Sequence, residues 1–420
     1  MSPTFLIKDV RIFDGEKDIP SGSVLVENGL IKQVVEGSLK ASDASIIVIS
    51  KPGHTLIPGL IDGHVHAHVD EENSALKQSL KFGLTTVCDM HQEAENLSKL
   101  RELAADPDAA DYKTSSQAAT IAEGWPAPII LAHHSPDKAS AMISSWPNIQ
   151  SDDDAEAFIK SRLEDKVDYV KLIYEDGHAI SMKVKAMPME VQKAIVESAH
   201  RNGLLAVAHA FSVHGTIEML RAGVDGMVHT FCDQSPTEAV TEAYLSTNAY
   251  CSPTLVVIGT LTGEGLKEQE KYCQDPRARK HLDDKSIYSL HRCVGLGSRE
   301  AKVEYAYQSV RQLKAAGVDI TLGTDSAGAA HGTAFGLSAH QELGLLVRKC
   351  GFTPTEALRA GTSLAAKRLR FNDRGRIAEG LRADLVLVEG NPLQDIDHTL
   401  NLRGVWKKGI LCSTYHGITA

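Results

Sequence analysis

No stretch of this chain reaches ~20 uninterrupted apolar residues, so a membrane-spanning helix is not expected. The opening "MSPTFLIKDV" has no charged flank ahead of a long apolar core, and therefore does not read as a secretion signal. Basic charge is also short. Forty-four Lys and Arg stand against 54 Asp and Glu, a formal charge of −10, with no long basic run. A nucleic-acid backbone is thus a poor partner, and small-molecule chemistry fits better. The seven cysteines are odd in number and lack paired spacing, which argues against a disulfide framework and for a reducing, cytoplasmic compartment. Low-complexity tracts and internal repeats are missing as well. What remains is an ordinary globular composition, 43% hydrophobic and 23% charged. At 420 residues the chain suits two domains, or one large barrel with an appendage.

Residues 4–50 alternate apolar and polar side chains in short runs such as "FLIKDVRIF", "SVLVENGLIKQVV" and "SIIVIS", which is the pattern of antiparallel sheet. It returns near the end in "ADLVLVEGNP" and "LRGVWKKGILC". Residues 1–57 and 376–420 are therefore expected to pair as one small composite β-sandwich domain. Between them, over 58–375, apolar strands alternate with amphipathic helices: "LIDGHVHAH", "GLTTVCDM", "VDYVKLI", "LLAVAHAF", "VDGMVHTF", "AYCSPTLVV" and "VDITLGTD". "YKTSSQAAT" supplies a weaker third strand, for eight in all. Buried strands with intervening helices imply a parallel sheet, and eight of them imply an α/β fold of the (β/α)8 TIM barrel type. "MEVQKAIVESAHRNG" and "SVHGTIEMLRAG" end at glycine, "SDDDAEAF" reads as a helix N-terminus, and "FTPTEALRAG" opens with a capping box.

"LIPGLIDGHVHAHVD" places His64, His66 and His68 on every second residue of one strand. Such residues share a face, so their imidazoles converge. Convergent neutral imidazoles suit a divalent metal ion. Barrel active sites lie where the strands end, and the strand ends here carry His64 and His66, Lys171, His209, His229 and Asp325. An unpaired charge or imidazole in such buried places would cost several kcal/mol. A buried lysine beside cations loses its proton readily and can then add carbon dioxide, giving a carbamate with two ligand oxygens. His64, His66 and Asp325 would hold one ion and His209 and His229 a second, with carboxylated Lys171 between them. Two ions roughly 3.5–4 Å apart make hydroxide available near neutral pH.

"GLIDGHVHAH", the strand-end lysine and histidines, "GTDS" and the closing "GRIAEGLRADLVLVEGNPL" resemble the metal-dependent amidohydrolase superfamily over almost the whole chain. A lysine on the fourth strand places the resemblance nearest the branch of prolidase-like dipeptidases and ochratoxinase-like amidases. It implies two divalent ions, zinc first, and a proton shuttle at Asp325. The expected reaction is hydrolysis of an amide C–N bond in a small apolar or aromatic N-acyl or dipeptide-like substrate. A lactonase or phosphotriesterase-like hydrolase would use the same metal pair. A mononuclear deaminase would want a glutamate three residues past His209, where Ser212 stands. A non-catalytic scaffold should have lost ligands, and all six are present.

Weaker expectations concern substrate contact. Tyr174, His214, His68 and His331 follow strand ends, and Trp125 and Trp146 flank a Pro-, Ile- and Leu-rich segment that reads as a lid, with His133 and His134 on its surface. His91 reads as having no role, and His178, His200 and His340 as helix or loop surface. A homo-oligomer is left open.

Overall fold

The computed structural model describes residues 3–69, 74–133, 135–328 and 331–417. The two chain ends meet in one eight-stranded sheet. Its axis is Phe5–Phe13, antiparallel to Asp18–Glu27 and parallel to both Ile47–Ser50 and His54–Pro58. His54–Pro58 pairs in turn with Leu385–Glu389, which pairs with Leu402–Lys407. Alternation along these strands puts Ile7, Ile12, Val24, Val26, Leu56, Leu385 and Leu387 into a buried cluster of their own. Phe5 stacks on Trp406 there, with ring centroids 5.7 Å apart.

The rest of the chain is α/β with parallel sheets. Leu60–His66 lies between Leu84–Asp89 and Ser326–Ala327, and Asp111–Thr114 follows Leu84–Asp89. A second sheet runs Tyr169–Ile173, Leu205–His209, Gly226–Met227 and Tyr250–Cys251. Isolated parallel bridges join Leu172 and Cys251 of this second sheet to Ala119 and Ile320, which lie outside the named strands. Leu84–Asp89 and Leu205–His209 are buried along their whole length, as strands of a parallel sheet covered by helices should be. The weak third pattern forms only the four-residue strand Asp111–Thr114.

Two segments differ from their sequence pattern. In "AYCSPTLVV" only Tyr250–Cys251 is strand, because Pro253 offers no N–H, Thr254 turns the chain at φ +50°, and Leu255–Thr262 becomes a buried helix. "VDITLGTD" pairs at Ile320 and otherwise through single bonds, Thr321 N–H to Cys251 O and Gly63 N–H to Leu322 O, at 2.9 Å each. The helix starts are as read: Ser151 caps Asp152–Glu164, Ser212 caps Val213–Arg221, and Thr353 with Glu356 forms the capping box. Among the described residues no helix is long and apolar enough to cross a membrane.

A charged hub ties the C-terminal segment to the short third strand. Asp111 Oδ2 accepts from Arg374 at 2.5 Å and from Arg382 at 2.7 Å, the two arginine side chains being only 5% and 9% exposed. Lys407 donates to the carbonyls of Ala104, Asp106 and Ala109 nearby. Removing one member of such a buried set leaves the others desolvated without compensation. Asp111→Ala should therefore lower unfolding free energy by about 3 kcal/mol, read from urea denaturation; a loss under about 1 kcal/mol, the level of an exposed pair, would show that the hub is dispensable.

Candidate metal centre

His64 and His66 share one face of Leu60–His66, and the turn holding Asp325 is laced to that strand. Asp325 and Thr324 N–H donate to His64 O at 2.8 and 3.2 Å. Asp62, buried two residues before His64, accepts from His64 N–H and Thr324 N–H at 3.1 Å and from the Thr324 hydroxyl at 2.7 Å. Burial pushes its carboxyl up to about 7. Asp325 itself takes φ +55°, a left-handed backbone that a non-glycine residue adopts only when its surroundings impose it.

The consequence is a triangle of ligand atoms. Asp325 Oδ1 lies 3.2 Å from His64 Nε2 and 3.0 Å from His66 Nε2, and the two nitrogens are 3.3 Å apart. A tetrahedral ion with ligand distances of about 2.0 Å needs its donor atoms roughly 3.3 Å apart. The three residues thus form a compact group able to hold a divalent ion. Burial, reinforced by Lys171, pushes His64 down to about 3, so its imidazole is neutral, as a ligand must be. Against burial, His64 and His66 hold the Asp325 carboxyl well below the usual range.

Lys171, His209 and His229 converge on the same cavity, which Met90, His91, Trp125, Pro126, Ile173 and Phe211 also line. Burial pushes the Lys171 amine down to about 7. His229 Nε2 is 3.9 Å from Asp325 Oδ2, its Nδ1 is 2.7 Å from the Thr254 hydroxyl, and its ring sits 4.7 Å from that of His64. His209 Nε2 is 3.2 Å from buried Glu175, which leaves Nδ1 as its remaining ligand atom. His209 and His229 stand outside the compact group, although their rings are only 4.6 Å apart.

Of the residues expected to touch substrate, Trp125 lines the cavity, stacked on His209 at 6.0 Å. Trp146 does not; it is buried behind the wall, donating to Glu93 at 2.7 Å and packing edge-on against His91. Tyr174 and His214 face each other at 6.1 Å, His68 packs on Phe335 and His331 on Tyr288, and none of the four is in the cavity lining. His134, expected on the lid surface, lies outside the described residues, as does the His133 side chain.

Several site residues escaped the sequence reading. His91 lines the cavity, its Nδ1 accepting from Ala118 N–H at 3.1 Å. Glu175 stands four residues past Lys171, and Asp62 shares the parity of the histidines, so both were within reach of the pattern. His340 is not on the surface: it is buried mid-helix, with its ring nitrogens 2.8 Å from the Thr399 hydroxyl and Phe82 O. Ser212 spends its hydroxyl on capping a helix, accepting from Gly215 N–H, and offers no acid at the place a deaminase would use one.

Residues 55–412 match the family model described as Amidohydrolase family. The chain belongs to the amidohydrolase family. Within it, the chain is 29% identical over 231 residues to ochratoxinase of Aspergillus niger, a match covering 53% of this chain and 41% of that protein. The aligned stretch thus spans less than half of the curated relative's length. Solved amidohydrolase-like structures extend over the whole fold. A Xaa-Pro dipeptidase with bound methionine superposes with a TM-score of 0.74 at 22% identity, covering 97% of this chain and 99% of that one. Molinate hydrolase superposes at 0.76 with 21% identity, covering 99% and 96%. At these identities the likeness is one of fold.

Behind His229, this amidohydrolase carries a second buried carboxyl. Glu342, on the helix Leu337–Cys350, accepts from Leu255 N–H and Val256 N–H at 2.8 Å each, the residues directly after Thr254. Burial pushes Glu342 up to about 8 from an ordinary 4.5. Its proton is kept by the folded chain up to that pH and released earlier by the unfolded one, so its contribution to stability is present at low pH and lost as pH rises through this window. Glu342→Gln should flatten the fall of Tm between pH 5 and 8; an unchanged slope would show that the carboxyl is already ionised in the fold.

Proposed function

We propose that this amidohydrolase is a metal-dependent hydrolase of an amide C–N bond in a small substrate, using two divalent ions, zinc first, and a carboxylated Lys171. The observation that carries the reading is the His64, His66 and Asp325 triangle opening on the cavity that Lys171, His209 and His229 share. His64, His66 and Asp325 would hold one ion and His209 and His229 the other. A Lys171 amine at about 7 is substantially neutral near physiological pH, free to attack carbon dioxide and release a proton as the carbamate forms. When bound, the ions supply Lewis acidity and a hydroxide nucleophile near neutral pH. Asp325 takes the proton of the attacking group and delivers it to the leaving nitrogen. Thr254 and Glu175 fix the His229 and His209 rings so that each offers one set nitrogen. Trp125 and Phe211 shield this chemistry from bulk water.

The same reading extends to architecture. The bridges at Ala119 and Cys251 support one closed (β/α)8 barrel over 58–375, and the separate apolar cluster of the end strands supports a composite domain of 1–57 and 376–420. Similarity to a dipeptidase, an ochratoxinase and a molinate hydrolase supports hydrolysis as the reaction.

The test is a panel of amides with protein loaded with zinc in bicarbonate. Turnover should vanish on chelation and return with the ion. Asp325→Asn, which keeps a ligand oxygen but cannot accept a proton, should lower kcat by ~100-fold or more while retaining metal. Lys171→Ala should lose most activity, with partial rescue by a short carboxylic acid. Full activity in the chelated protein, or in Lys171→Ala, would overturn the reading.

A further inference from the structure

The cavity wall has a composition that restricts what can enter it. Beside the six polar or metal-site residues it presents Met90, Trp125, Pro126, Ile173 and Phe211. The Phe211 ring packs against both imidazoles, 4.5 Å from His209 and 4.5 Å from His229, and Trp125 stacks on His209. Among the described residues, Lys171 is the only Lys or Arg in the lining, and it belongs to the metal group. The undescribed residues 70–73, 134 and 329–330 contain no Lys or Arg either.

What surrounds the wall is acidic. Glu175 is buried against His209, Glu93 stands 3.8 Å from His91, and buried Asp89 accepts from His91 N–H. His91 cannot serve as the missing cation. Its Nδ1 is an acceptor for Ala118 N–H, so the neutral ring carries its proton on Nε2, on the side of Glu93. Burial pushes the ring's pKa down as well. The other polar candidates, Tyr174, His214, His68 and His331, pack outside the lining. With the ions committed to the scissile carbonyl and the nucleophile, a substrate carboxylate against this wall would be desolvated among apolar and acidic neighbours with no protein cation in the described lining to pair it.

Resting on the hydrolase reading above, we propose that the substrate is an uncharged amide whose aromatic or bulky apolar group packs on Trp125, Ile173 and Phe211, and that substrates with a free carboxylate next to the scissile bond are rejected. This separates the site from dipeptides and other N-acyl amino acids, which carry such a group.

Two compounds with one scissile bond test it: N-benzoyl-2-phenylethylamine and N-benzoylphenylalanine, which differ only by the carboxylate. Zinc-loaded protein should bind the neutral compound at least about 10-fold more tightly by calorimetry, and cleave it with at least about 10-fold higher kcat/KM. Ile173→Arg, which places a cation in the wall, should narrow or reverse both ratios. Tighter binding of the neutral compound without cleavage of either would sink the hydrolase reading and leave this one standing. Equal or tighter binding of the acid by the wild type, or no binding of the neutral compound, overturns the proposal.

Discussion

Asp325 is held between two imidazoles of a neighbouring strand while its own backbone is bonded to one of them, and much of the molecule serves that arrangement. The Asp325 N–H reaches His64 O, the side chain reaches His64 and His66, and Asp62 braces both segments from beneath. Both imidazoles can donate to the Asp325 carboxylate, but their two Nε2 atoms, 3.3 Å apart, then face each other proton to proton, and buried His64 Nδ1 has no hydrogen-bond partner among the described residues. A divalent cation resolves the conflict, since it accepts all three lone pairs at once. The left-handed φ of Asp325 is what aims its carboxylate back at the histidines. That strain is sustained because the parallel strands on either side are buried and well bonded.

The second half of the centre is arranged less directly. His229 is oriented by Thr254, whose backbone is also left-handed, and the helix that follows Thr254 is received by Glu342 from a distant helix. His209 is oriented by Glu175 on the loop after the lysine strand. Each of these two histidines thus has a partner that selects which of its nitrogens is available, as a metal ligand requires. The apolar wall of Trp125 and Phe211 lowers the local polarity, which strengthens every charge interaction inside.

Much of this was legible in the chain. Only His66 and His209 close their strands; Lys171 sits mid-strand in Tyr169–Ile173, His229 two residues past Gly226–Met227 and Asp325 in the turn before Ser326–Ala327. Yet apolar runs interrupted by a polar residue pointed to all six of His64, His66, Lys171, His209, His229 and Asp325, and they lie at one cavity or its edge. The caps at Ser151 and Thr353 were equally readable, because capping is local chemistry. What the pattern could not carry is set by distant contacts or by single backbone angles. His340 looks like a surface residue until Thr399 and Phe82 are seen to enclose it. Trp146 and Trp125 sit in one apolar segment, yet one anchors on Glu93 and the other faces the cavity, a difference no periodicity encodes. The strand pattern of "TLVV" failed because Pro253 and Thr254 turn the chain before it could pair.

The proposed centre places two ions on these six residues with a carbamate between them. Anomalous diffraction from crystals grown with zinc and bicarbonate tests it without reference to turnover. Two peaks are expected, one beside His64, His66 and Asp325 and one beside His209 and His229, joined by extra density on the Lys171 amine. A single peak at zinc saturation, with an unmodified Lys171, would contradict it.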